Sequence, residues 1–147
     1  MKNSLCFVLA LFLGLSCLLC ACGSGSSGSE KVYTYHESSF SLPSSWRDNS
    51  TGDSAMYSAP DDSAGLNISF DDSENRTVLS DRLQGVDYDL DSVSVDGEEV
   101  RLYMYQQDGF WFHDFEVLRD DGAYHFVFIA SGQKPAEFDV FVSSLMF

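Results

Sequence analysis

Beyond residue 22 the chain has no cysteine. All four, Cys6, Cys17, Cys20 and Cys22, lie in the first 22 of its 147 residues. Whatever folds downstream is held without disulfides and carries no thiol nucleophile. Basic residues are scarce as well, 8 against 23 acidic. Every acid and all but one of the cations lie from Glu30 onward, a net charge of −16 over that part. Such a chain lacks the basic footprint that phosphate contacts require, so nucleic acid is excluded as a partner. Direct adhesion to anionic headgroups is disfavoured too, and mutual repulsion favours a soluble monomer. Long apolar runs are missing apart from Leu5–Ala21, which is at the short end for a membrane span. There is no phosphate-binding loop, no G-x-S-x-G elbow and no histidine pair at metal-ligand spacing. Nothing in the sequence calls for a cofactor.

The cysteines that are present mark an export signal. Cys17 and Cys20 form a C-x-x-C, but no second pair and no histidine pair completes a zinc site. Lys2, the apolar run and the small residues after it follow the layout of a secretory signal peptide, residues 1–21. Leu19-Cys20-Ala21-Cys22 resembles a bacterial lipobox, with Cys20 unusual in its variable slot. The resemblance implies a diacylglycerol on Cys22 and cleavage before it. The alternatives are a signal peptide without lipid and an uncleaved membrane helix, although no basic stop-transfer cluster follows. Residues 22–29 then read as the lipidated cysteine and a Gly/Ser tether, a coil reaching roughly 15 Å.

From Glu30 to Phe147 the length is that of a single domain, large enough to fold on its own core. Asp96-Gly97, Asp108-Gly109 and Asp121-Gly122 recur between β-rich segments and predict hairpins. The segments around them predict a four-stranded antiparallel meander. Further strands are expected at Val32–His36, Phe40–Leu42, Ala55–Ser58 and Leu66–Phe70. In Tyr124–Ile129 both alternating faces are apolar, which predicts cover on both sides of the sheet. Two helices are expected. One spans about Glu74–Gln84, with Leu79, Leu83 and Val86 on one stripe. The other starts near Pro135 and buries Phe138, Phe141, Val142 and Leu145. The expected class is α+β, an antiparallel sheet of about six to eight strands between two helices.

Three stretches are similar to the PsbP/Mog1-like superfamily, including DcrB-like and other bacterial lipoproteins. Phe40-Ser41-Leu42-Pro43 with Trp46 resembles its early strand and turn. Ser94-Val95-Asp96-Gly97 followed by Val100–Tyr105 resembles its central hairpin, and Phe138–Phe147 its closing helix and short tail. The resemblance implies a helix-flanked antiparallel sheet. It implies little chemistry, because a fold does not fix a function.

Asp87, Asp89, Asp91 and Glu98 imitate positions 1, 3, 5 and 12 of a calcium loop. Ser92 stands where that loop needs glycine, and a strand follows instead of a helix. The simpler expectation is an exposed segment whose acids face water while Tyr88 and Leu90 face inward. His36, His113 and His125 are not spaced as metal ligands. His36-Glu37 and His113-Asp114 are neighbours that a strand turns to opposite faces. The sequons at Asn49, Asn67 and Asn75 have no role in a bacterial cell.

Three functions remain. The first is a lipid-anchored, non-enzymatic binding or accessory module on the outer face of a bacterial membrane, with Phe110, Trp111 and Phe112 as its candidate contact with an envelope protein, although packing in the core is the simpler role for these three. The second is a calcium or small-solute binder. The third is a small hydrolase assembled from distant residues.

Overall fold

The computed structural model describes residues 28–72 and 78–147. The expected signal peptide, Cys22, most of the expected tether and the first part of the expected helix at 74–84 lie outside them. Among the described residues, nine strands and two helices follow in order. They are β1 Glu30–Tyr35, β2 Ser38–Pro43, β3 Arg47–Asp48, β4 Ser54–Ser58, β5 Ala64–Asp72, α1 Leu79–Arg82, β6 Asp89–Val95, β7 Glu98–Gln107, β8 Phe110–Arg119, β9 Gly122–Ala130 and α2 Ala136–Ser144. Seven strands form one antiparallel sheet in the order β3-β4-β5-β9-β8-β7-β6, and β1 and β2 pair separately. The meander β6 to β9 is as the sequence predicts. The expected α+β class holds, with a seven-stranded antiparallel sheet and two short helices.

The turns explain the meander. Asp96 and Gly97 have φ of 50° and 83°, and Asp108 and Gly109 have 54° and 84°. Both central positions of these two-residue loops are left-handed, the conformation that matches the twist of the strands they join. The third hairpin departs from expectation by one residue. Arg119 pairs with Gly122, so its loop is Asp120-Asp121 and Gly122 belongs to β9. Gly122 is there for space. A Cβ on it would stand 2.3 Å from the Asp71 carbonyl oxygen and 2.7 Å from the Phe70 ring, because β5 passes close alongside.

One face of the sheet is closed. Phe115, Tyr124, Phe126 and Phe128 project from it into the core, and α2 and the β1-β2 hairpin cover them. Phe141 of α2 sits among Phe40, Phe115, Phe126 and Phe128 with ring centroids 5.5–6.2 Å apart. The end of α2 is fastened to β2. The Ser41 N–H donates to Ser144 Oγ at 2.8 Å, and Met146 exchanges two backbone hydrogen bonds with Ser39. Pro135 stands immediately before α2 with extended backbone, and the buried stripe Phe138, Phe141, Val142 is the expected one.

The opposite face is only partly covered. Leu79 of α1 and Leu83 just beyond it pack on Tyr103, with Tyr105 alongside. Val86, expected on the same stripe, is exposed. Both helices lie against the sheet, one on each face, but among the described residues α1 covers only one end of this face. The acidic segment also differs from its reading. Tyr88 sets its ring edge-on to buried Tyr103 but stays exposed, and Leu90 does not turn into a core. Leu90 is 59% exposed because β6 is the last strand of the sheet, with nothing described beyond it.

Candidate functional site

The open face is built by strand alternation, which gives each strand's alternate residues to one side. The register aligns Ser58, Gly65, Ile129, Phe112 and Tyr105 in one row across five strands. The next row holds Met56, Asn67, Val127, Asp114 and Tyr103. Gly65 contributes no side chain to its row. A hollow of about 400 Å³ results, with Met56, Phe110, Phe112 and Ile129 among its walls and Asn49, Asn67 and Gln107 at its polar margin. Its volume and apolar lining with a few polar groups are those of a ligand or side-chain pocket. Met56 is 45% and Phe110 39% exposed, so large apolar surface meets water here.

Phe112 stacks on Tyr105 with ring centroids 5.0 Å apart and planes 8° from parallel. The Tyr105 hydroxyl lies 3.5 Å from Asp114 Oδ2, so the hollow's wall leads into a polar cluster farther along the same face. Asp114 is 6% and His125 2% exposed. Asp114 Oδ1 and His125 Nδ1 have no hydrogen-bond partner among the described residues. His125 Nε2 lies 3.3 Å from Asp71 Oδ2 and 3.6 Å from Glu116 Oε1, and Arg82 of α1 pairs with Asp71.

Burial pushes the Asp114 carboxyl up to about 7, aided by Glu116 and opposed by the Arg82 guanidinium and the Tyr105 hydroxyl. Burial and then Arg82 push the His125 imidazole down, against Glu116 and Asp71. The Tyr105 phenol is raised to about 12 by burial and by Asp114. His125 beside carboxylates is where a hydrolase could begin. Yet it is enclosed, and no hydrogen bond joins it to a serine among the described residues. Nor does any group of three His, Cys, Asp or Glu among the described residues converge to hold a metal ion.

The sequence-derived candidates are scattered. Phe110 and Phe112 reach the open face, whereas Trp111 pairs with Ala130 and turns to the other side. The three do not form one patch, because neighbours on a strand alternate. Asp89 and Asp91 lie in β6 and Asp87 just before it, while Glu98 pairs with Val95 across the first hairpin. An extended strand separates Asp91 from that rung by four residues, roughly 13 Å, so the four acids do not converge. His113 is buried on the core side with Nε2 2.5 Å from the Gln133 carbonyl, and it holds the loop before α2. The hollow and the Asp114–His125 cluster were missed from sequence. Their only signals there are a charged residue between Phe112 and Phe115 and a histidine in the apolar run of β9.

No known family model matches this chain, and no curated protein matches it. A crystal structure from Bacteroides thetaiotaomicron is similar over 81% of this chain and 48% of its own, with a TM-score of 0.57 and 19% identity. The chain therefore spans about half the length of that protein, and the two share a fold. A Pseudomonas aeruginosa protein of unknown function aligns with a TM-score of 0.36 and 19% identity, over 76% of this chain and 88% of its own. No helix among the described residues is long and apolar enough to cross a membrane.

Proposed function

We propose that this chain is a bacterial lipoprotein, anchored through Cys22, whose domain is a non-enzymatic binding module of PsbP/Mog1-like kind in the cell envelope. The anchor is supported by Leu19–Cys22 and the Gly/Ser tract behind it. The binding role rests on one observation, the apolar hollow that Gly65 leaves on the open face between Met56, Phe112 and Ile129. Its size suits one or two large apolar side chains of an envelope protein, and the chain's negative charge keeps copies of itself apart.

Photo-cross-linking in intact cells tests this reading. A photoreactive side chain replaces Met56 in the hollow or, as control, Glu137, exposed on the outer side of α2. A discrete adduct from position 56 alone, weakened by Cys22→Ser, is expected. Adducts from both positions alike, or from neither, contradict the proposal.

A further inference from the structure

The two edges of the large sheet are unequal. One ends in β3, which has two residues; the other ends in β6, which has seven, five of them exposed. In the two-residue hairpin that follows, Val95 and Glu98 form the hydrogen-bonded pair. Alternation then turns the backbone N–H and C=O groups of Leu90, Ser92 and Ser94 outward. Ser92 shows this directly: its N–H donates to its neighbour's carboxylate, Asp91 Oδ1, at 2.9 Å. That carboxylate stands where the carbonyl of an incoming strand would be.

The side chains state which strand could replace it. Asp89 and Asp91 of β6 share one side of the strand, and Leu90 lies on the other. No cation is paired with either acid among the described ion pairs. A second copy of this chain is a poor occupant, because it would lay like charges opposite one another in a protein of net charge −15. A strand with lysine or arginine at alternate positions and apolar residues between them complements both sides.

We infer that β6 is a docking edge for an extended basic segment of another protein, which adds an eighth strand to the sheet. Main-chain hydrogen bonds to Leu90, Ser92 and Ser94 supply the pairing, and Asp89 and Asp91 select the charge. This edge is separate from the hollow and does not depend on it.

The test uses the full chain in non-ionic detergent and a seven-residue peptide alternating lysine and valine. Anisotropy of the labelled peptide measures binding, and amide hydrogen exchange locates it. Saturating peptide is expected to slow exchange at Leu90, Ser92 and Ser94. A glutamate–valine peptide is expected not to bind. A lysine–valine peptide with N-methylated backbone is expected to bind at least about tenfold more weakly, as is the normal peptide to the Asp89→Asn/Asp91→Asn variant. Exchange at β8 and β9 reports whether that variant is folded. Equal binding of the N-methylated peptide would reduce the effect to charge attraction and overturn the inference. So would protection away from β6, or no binding at millimolar peptide.

Discussion

Asp114 and Gly122 show how single residues are constrained by neighbours far away in sequence. Asp114 is raised to about 7 by burial, well above an unfolded aspartate near 3.9. Between those values the folded state holds a proton that the unfolded chain does not. Its contribution is therefore present below about pH 4 and lost as pH rises to about 7. His125, lowered by burial, runs the other way: its contribution is present above pH 6.5 and lost as pH falls. Denaturant unfolding of Asp114→Asn should remove the loss of stability between pH 4 and 7, a gain of up to a few kcal/mol at pH 7. A variant whose stability keeps the wild-type pH slope would show that Asp114 is not its source. Gly122→Ala should destabilise by about 2–4 kcal/mol, since its methyl meets a backbone oxygen and a packed ring. A smaller change in the midpoint of urea unfolding would mean that β5 and β9 separate easily. Neither residue's situation was legible in sequence. Asp114 read as a face-alternating neighbour of His113, and Gly122 read as a turn glycine, because both depend on which strand lies alongside.

At the scale of elements, hairpins and the last helix carry the fold, and these are the parts that local sequence does reveal. Asp96-Gly97 and Asp108-Gly109 require left-handed backbone at both positions, and the strand pattern on each side agrees with them. Gly109→Ala should cost ~1 kcal/mol in thermal unfolding, whereas Gly132→Ala, with no left-handed φ and open space around it, should cost little. Helix α2 was legible through the spacing of Phe138, Phe141 and Val142, and its aromatic stripe does meet the sheet. Phe141→Ala should destabilise by about 3–5 kcal/mol, because four rings surround the side chain it deletes. Alternation was less informative about cover. In β9 it distinguishes Phe126 and Phe128 from Val127 and Ile129, yet it cannot say that α2 and a hairpin lie over the first pair while a hollow lies over Ile129. For the same reason Leu90 read as inward, although the strand carrying it is at the edge.

Over the whole molecule, one closed face, one half-open face and a strongly acidic surface define what the domain can do. The closed face consumes most of the aromatic residues in packing. The half-open face keeps Met56, Phe110, Phe112 and Ile129 around the gap at Gly65, and it is the part left over for recognition. If Cys22 carries the lipid, Cys22→Ser should move the protein from the membrane to the soluble fraction without altering its melting temperature. Gly65 gives the most direct access to the role of the hollow. Its φ lies outside the left-handed region, and a Cβ there meets only the Tyr57 carbonyl oxygen, at 3.4 Å. Gly65→Ile should therefore fill the hollow and leave the strand intact or slightly firmer. The decisive measurement is the cross-linking yield from position 56 in cells carrying Gly65→Ile, read beside the variant's melting temperature. An unchanged or higher melting temperature and loss of the adduct are expected. A folded Gly65→Ile protein that still gives the adduct at full yield would contradict that role.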